Sequence, residues 1–128
     1  MMSQRHVDYL EHMLHAANDA RTFVEGLHQL DFTADKRTQQ AVILSLLIIG
    51  EAASKLLQNH STFLAQHHEL PWASMKGMRN RLAHGYFDID LDVVWDTVHD
   101  ALPQLQDRLP AIIAHALQEE SRESGPAS

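Results

Sequence analysis

Residues 41–49 form an apolar run interrupted only by Ser45, and this run restricts the fold more than any other feature of the sequence. Its nine residues are about half of the ~18–20 that a helix needs to cross a bilayer. A helix that is apolar on every side is buried in a core or between subunits. Gly50 and three small residues at 52–54 follow the run and would let another helix pass closely. The run therefore predicts the central helix of a helical bundle, with no membrane span.

Apolar residues recur at steps of three and four along most of the 128-residue chain, which is the spacing of amphipathic helices. Gly and Pro total only nine residues, too few for the turns of a many-stranded sandwich or barrel. We therefore expect an all-α bundle of four to five helices, with residues 1–120 as one domain and residues 121–128 as a flexible tail. The expected segments are a helix over residues 3–30 capped by Ser3, a helix from Thr33 or Asp35 to about residue 58, a short helical or irregular stretch over 61–70, a helix from Pro71 to Gly85, and a final helix capped by Asp88 or Asp90 that kinks or restarts near Pro103.

Composition excludes several classes of protein. The chain has no cysteine, so disulfide frameworks, thiolate metal sites and thiol nucleophiles are excluded. The chain has ten Lys and Arg residues and 17 Asp and Glu residues, which gives a net charge of −7. Such a chain is not a general nucleic-acid binder, so any phosphate site must be local. The N-terminal residues lack the apolar core of a signal peptide, and we expect a cytoplasmic protein.

The best candidate for a local anion site is the basic segment of the predicted third helix. Lys76, Arg79 and Arg81 lie within six positions, and His84 and Tyr86 follow closely. This set suits RNA cleavage by attack of a ribose 2′-hydroxyl on the adjacent phosphate. His84 can serve as acid or base because imidazole titrates near neutral pH. Arg79 can hold the non-bridging oxygens and stabilise the charge that grows there, so the reaction needs no metal and no cofactor.

The spacing of the two central residues leaves two arrangements open. Five residues along an α-helix turn through 500°, so Arg79 and His84 lie about 140° apart around a regular helix. Either the helix ends before His84, which Gly85 permits, or a second copy of the chain completes the site across a two-fold axis.

Neighbouring residues are expected to support this pair. Asn80 can hold the phosphate or orient the imidazole, and Lys76 and Arg81 add positive charge. Glu51 either lies on a solvated face or forms an ion pair with Arg79 or Arg81 that orients a guanidinium. Gly50, at the end of the apolar run, is expected where two helices cross closely.

Several other residues that can carry chemistry are expected to be structural. Two pairs of histidines lie close in sequence, His12 with His15 and His67 with His68. Neither pair has an accompanying Cys or a HExxH pattern, so solvated imidazoles are favoured over a metal site. The residues are Trp72 and Trp95 as core or interface anchors, His12 with His15 and His67 with His68 as solvated imidazoles, and Asp88 with Asp90 as helix caps rather than Mg²⁺ ligands.

The order Arg79-Asn80-x-x-x-His84-x-Tyr86 resembles the Arg-x4-His-x-Tyr signature of HEPN-domain ribonucleases, and above all the HepT toxins of bacterial and archaeal toxin–antitoxin pairs. Further blocks resemble the family in the same order, and the resemblance covers roughly residues 5–118. These blocks are Ile49-Gly50-Glu51-Ala52-Ala53 with Lys55-Leu56, Pro71-Trp72 with Met75-Lys76-Gly77-Met78, Asp88-Ile89-Asp90 through Val94-Trp95, and Leu102-Pro103-Gln104-Leu105.

The resemblance implies an all-α HEPN-like bundle that forms a homodimer with its two motifs facing each other across a composite cleft. It implies a metal-independent endoribonuclease toxin, of a type II- or type VII-like system, with Arg79 and His84 as catalytic residues. It also implies an antitoxin partner, an MNT-type nucleotidyltransferase that attaches AMP to Tyr86 and silences the nuclease. Two alternatives stay open: a non-catalytic HEPN-like module that binds nucleotide or a partner protein through the same cleft, and a His-rich bundle that binds metal.

Overall fold

The structure is a computed structural model that describes residues 5–123, and every regular element within these residues is helical. This confirms the predicted all-α bundle. Ser3, predicted as the first N-cap, and residues 124–128 of the predicted tail lie outside the described residues. The helices are α1 (His6–Phe23), α2 (Gln29–Ala34), α3 (Lys36–Asn59), α4 (Ser61–Leu64), α5 (Trp72–His84), α6 (Leu91–Asp96) and α7 (Leu102–Glu123), with a 3₁₀ turn at Tyr86–Asp88 and a π-helical turn at Thr97–Ala101.

Helix α3 lies at the centre of the bundle, as the apolar run predicts. Asp35 caps it by accepting hydrogen bonds from the backbone N–H of Thr38 at 3.3 Å and from its hydroxyl at 2.7 Å. Helix α3 packs against both α1 and α5, and α7 packs against α1. Leu46 and Ile49 are buried between these helices.

The apolar run is not buried on every side. Leu44 is 58% exposed and Ile48 is 41% exposed, one helical turn apart on the same face of α3. In the part of the chain that the structure describes, α3 is the one helix that by length and composition alone could cross a membrane, with 24 residues and an 18-residue window of mean hydropathy 1.6. Half of its apolar window is buried inside the fold, and its packing against α1 and α5 accounts for that hydropathy.

The first helix is shorter than predicted. It ends at Phe23, and Gly26 then adopts a φ of +78°, a left-handed conformation that glycine tolerates without strain. His28 and Asp31 next form a capping box, with the N–H of His28 donating to the Asp31 carboxylate at 2.9 Å, and this starts the separate helix α2. The predicted single helix over residues 3–30 is therefore wrong in its last seven residues, about two turns.

The last helical segment follows its predicted signals with one change. Asp90 caps α6 by accepting from the N–H groups of Asp92 and Val93, at 3.0 and 3.3 Å. Near Pro103, where a kink or a restart is expected, the chain leaves regular α-helix after Asp96 and resumes it as α7 at Leu102. It passes through the π-helical turn, which ends two residues before Pro103. Pro103 has no N–H, and this missing donor would break the hydrogen bonding of a regular helix there. Helix α7 then continues to Glu123, three residues into the segment expected to be a tail.

Candidate active site

Helix α5, which carries the basic motif, is anchored at both ends. At its start Trp72 is 6% exposed, and its indole N–H donates to the backbone carbonyl of His67 at 2.7 Å. At its end the N–H of Gly85 donates to the carbonyl of Arg81 at 2.8 Å. The core role predicted for Trp72 and the stop predicted at Gly85 are both confirmed.

Arg79 and His84 lie on different sides of this helix. Because α5 is helical through His84, the arrangement in which the helix ends before that residue is wrong. The two side chains are therefore about 140° apart around the axis. Arg79 lies against α3, whereas His84 is exposed and has no hydrogen bond or ion pair within residues 5–123. One chain does not present both groups on one face.

Two side chains of α3 hold the guanidinium of Arg79. Its Nη1 lies 3.0 Å from Glu51 Oε2, and its Nη2 donates to Ser54 Oγ at 3.1 Å. The predicted ion pair of Glu51 is thus made with Arg79. The Arg79 side chain is still 26% exposed, so the guanidinium is oriented without being closed off. Sequence reasoning missed Ser54, although its position three residues after Glu51 places both on one face of α3.

Gly50 is the point at which α3 and α5 cross. A β-carbon at this position would overlap the β-carbon of Arg79 and lie 2.8 Å from the carbonyl oxygen of Met75. Any larger residue would push the two helices apart. The predicted close crossing is confirmed, and it brings the backbone of Arg79 within reach of the polar face of α3.

The outward face of α5 carries the other polar residues of the motif. Lys76, Asn80 and His84 follow one another at four-residue steps, which turn by only about 40° each, so they form one stripe. Lys76 and His84 are exposed and Asn80 is half-buried. No hydrogen bond joins Asn80 to His84 in residues 5–123. Arg81 is also exposed, beside a groove that α5 forms with the π-helical turn and α7.

Two aromatic residues follow the motif in the 3₁₀ turn. Tyr86 is 53% exposed, and Phe87 is 95% exposed. Their rings meet edge to face, with centroids 5.9 Å apart and planes at 83°. Sequence reasoning assigned no role to Phe87. Its place directly after the motif tyrosine was the available signal.

An open groove runs between α1 and α3 on the side of Glu51. It has a volume of about 470 Å³. Its floor includes Ile48, which with Leu44 forms the exposed apolar strip of α3. Lys55 and Tyr9 also line it. Glu51 and Ser54, which hold the guanidinium, are called the Arg79 clamp below. One of the two, Glu51, therefore lies beside an uncovered apolar surface.

The histidines form no recognisable metal centre. His12, His15 and His68 are exposed, as predicted for solvated imidazoles. His67 differs from the prediction, because its Nε2 lies 2.7 Å from Nδ1 of His115 and its ring is packed between helices. Among residues 5–123 no group of three His, Asp or Glu side chains is placed to hold a metal ion.

Comparison with known proteins places this arrangement in a family. Residues 13–112 match the family model described as "Ribonuclease HepT-like". A protein of Thermococcus cleftensis named "Probable ribonuclease HepT" is 43% identical over 82% of this chain and 93% of its own length. The "Putative RNase MJ1380" of Methanocaldococcus jannaschii is 37% identical over 82% of this chain and 94% of its own length. The "Putative RNase TTE0752" of Caldanaerobacter subterraneus subsp. tengcongensis is 33% identical over 82% and 91%.

No solved structure matches the chain. The match to the family model spans most of α1 through α7, including both helices of the Arg79 clamp and the whole motif. The chain therefore belongs to the HepT-like ribonuclease family.

Proposed function

We propose that this protein is the toxin of a toxin–antitoxin pair and cuts RNA internally, without a metal ion, at a cleft shared by two copies of the chain. The observation that carries the proposal is the placement of the motif. Arg79 is held in one orientation by Glu51 and Ser54, while His84 stands exposed on another side of the same helix. The family supports the nuclease activity.

The reaction needs both a base and an acid, whereas the motif of a single chain offers one imidazole, that of His84. One base must take the proton of the ribose 2′-hydroxyl as its oxygen attacks phosphorus. One acid must give a proton to the 5′-oxygen as its bond to phosphorus breaks. A two-fold axis beside His84 supplies two imidazoles for these two roles, and Arg79 faces the charge that develops on the phosphoryl oxygens. Lys76, Asn80 and Arg81 would hold the neighbouring phosphates.

The uncovered apolar strip of α3 supports a homodimer. Leu44 and Ile48 are exposed on a helix whose other apolar residues are buried or half-buried, and such a strip is typical of a subunit contact. Because Glu51 borders the same groove, a second copy seated there would approach the Arg79 clamp.

The partner proposed for this toxin is an MNT-type nucleotidyltransferase antitoxin. It would transfer AMP from ATP to Tyr86, which is exposed enough for a second enzyme to reach. The phenol oxygen would lose its proton and bond to the α-phosphorus of ATP, and pyrophosphate would leave. The attached phosphate would compete with RNA for the cations of the motif, and the adenosine would fill the cleft.

The test is cleavage of RNA by purified variants. Arg79→Ala and His84→Ala should each lower the rate by at least ~10²-fold while circular dichroism and melting temperature stay near the parental values. Cleavage by the parent should survive EDTA. A heterodimer of one parental subunit and one His84→Ala subunit should be nearly as inactive as the His84→Ala homodimer, because the shared cleft needs one imidazole as base and the other as acid.

Three results would contradict the proposal. Parental cleavage by either alanine variant removes the catalytic assignment. A heterodimer of this kind that keeps about half of the parental activity shows that one imidazole suffices for each site, which removes the shared cleft with two histidines. A parent that binds RNA or nucleotide and never cuts it favours the non-catalytic binding module instead.

A further inference from the structure

Phe87 is the most exposed large apolar side chain among the described residues, at 95%. Its backbone is nevertheless held in place. The N–H of Asp88 donates to the carbonyl of Gly85 at 2.9 Å, and Asp90 caps the helix that follows. Among the described residues, the only aromatic ring that contacts the Phe87 ring is that of Tyr86, with centroids 5.9 Å apart and planes at 83°. The turn therefore presents an aromatic face to solvent from a fixed position.

This ring lies close to the proposed site of cleavage. Three peptide units separate Phe87 from His84, so their α-carbons are at most about 11 Å apart. A nucleotide that flanks a phosphate bound at His84 can reach that far.

We infer that Phe87 is a stacking subsite for a base of single-stranded RNA, next to the phosphate that is cut. The inference rests on the proposed ribonuclease function and adds a substrate class to it, because only an unpaired base offers a free face. Every base has such a face, so this subsite binds many sequences.

The charge of the protein supports a contact of this kind. The chain carries a net charge of −7, and Asp88 and Asp90 lie beside the ring in sequence. Phosphate contacts alone therefore supply less affinity here than in a basic nuclease. Stacking adds affinity that carboxylates do not oppose by repulsion.

A base fits Phe87 better than another protein does. A stable protein interface needs a contiguous apolar patch, whereas the residues flanking the two rings are Gly85 and Asp88. A stacked base needs only one ring face.

The experiment measures binding of a fluorescein-labelled, unstructured RNA 20-mer by anisotropy, with His84→Ala in every protein to prevent cleavage. Phe87→Ala should raise Kd by about tenfold, as expected for the loss of one stacked base. Phe87→Trp should restore the affinity, and its indole fluorescence should change when RNA binds. Because the side chain is solvent-exposed, neither substitution should alter folding.

Two controls separate stacking from other effects. Leu117→Ala removes another exposed apolar side chain, 49% exposed, on the part of α7 near the ion pair of Arg5 with Glu120, and it should leave Kd unchanged. Lys76→Ala should reduce the slope of log Kd against log salt by about one, whereas Phe87→Ala should leave that slope intact.

The outcomes distinguish failure of the stacking inference from failure of the proposed ribonuclease function. If the parent cleaves RNA and Phe87→Ala binds RNA as tightly as its background, stacking is wrong and the nuclease stands. If Phe87→Ala dissociates the dimer in sedimentation, the ring is a contact between copies and the inference fails. If the protein neither binds nor cleaves RNA, the proposed function fails and the inference fails with it.

Discussion

A β-carbon at Gly50 would overlap the β-carbon of Arg79, so the absent side chain of one residue makes room for the other. This contact joins the core to the proposed active site. It brings α5 close enough to α3 for Glu51 and Ser54 to hold the guanidinium. The position of the proposed catalytic arginine thus depends on a glycine that takes no part in the chemistry.

The first prediction is that Gly50→Ala destabilises the protein, by about 1–3 kcal/mol as is usual for overpacking, and displaces Arg79. The matched control is Gly77→Ala on α5. There the nearest atom to the new β-carbon is Arg81 Nη1 at 3.7 Å, the mobile end of a side chain. This control should gain up to ~1 kcal/mol from helix propensity. Urea unfolding of both variants measures the difference, and equal stabilities would show that the crossing is not tight.

The second prediction concerns Glu51 as a positioning residue for Arg79. Glu51→Gln keeps the shape but removes the charge, and kcat should fall roughly ten- to hundred-fold because the guanidinium loses its fixed orientation. Stability should change by less than ~1 kcal/mol, since the Glu51 side chain is 52% exposed. Ser54→Ala should lower kcat less. A rise in kcat for Glu51→Gln would mean that the carboxylate restrains Arg79 rather than orients it.

The third prediction separates the two possible roles of Tyr86. Tyr86→Phe keeps the ring and removes the acceptor oxygen, so it should cleave RNA at the parental rate and gain no mass when incubated with the nucleotidyltransferase and ATP. Intact-mass spectrometry reports the result. Full addition of AMP to this variant would place the modification elsewhere. An unmodified but inactive variant would give the hydroxyl a catalytic role.

The fourth prediction concerns the N-cap of α3. The hydrogen bonds from Thr38 lower the pKa of Asp35 below its usual 3.8. A carboxyl with a lowered folded-state pKa stabilises the fold above its unfolded pKa, and this contribution is lost as the pH falls through the folded value. The free energy of unfolding should therefore decrease below about pH 4.

Asp35→Asn tests this assignment because it keeps an acceptor that does not titrate. The loss of stability between pH 7 and pH 3, measured by urea unfolding, should be smaller in this variant than in the parent. Thr38→Val removes the hydroxyl donor and keeps the backbone N–H, so it should reduce the loss of stability between pH 7 and pH 3 in part. If the loss of stability between pH 7 and pH 3 is the same in all three proteins, the cap does not contribute to the acid sensitivity.

Local chemistry in the sequence predicted most helix boundaries. Asp35, Asp90 and Gly85 act at the ends of helices as their residue types indicate, since capping depends on groups within a few positions. The predicted end of the first helix near residue 30 is wrong because the apolar period continues past Phe23, whereas the left-handed φ of Gly26 separates α1 from α2. The π-helical turn before Pro103 was expected only as a kink or a restart, since a proline removes a hydrogen bond without specifying how the helix accommodates the loss.

For the proposed site, too, some features follow from the sequence and others only from the tertiary structure. The residue types and spacing of Lys76, Arg79 and His84 follow from the sequence alone, as do the helix that carries them and the close crossing at Gly50. Only the tertiary structure decides which partner Arg79 binds, that Ser54 joins the clamp, and that Phe87 stands exposed. Spacing along one helix sets the angle between two of its side chains. Which neighbour each one meets depends on how separate helices pack, and that information lies in contacts between residues far apart in the chain.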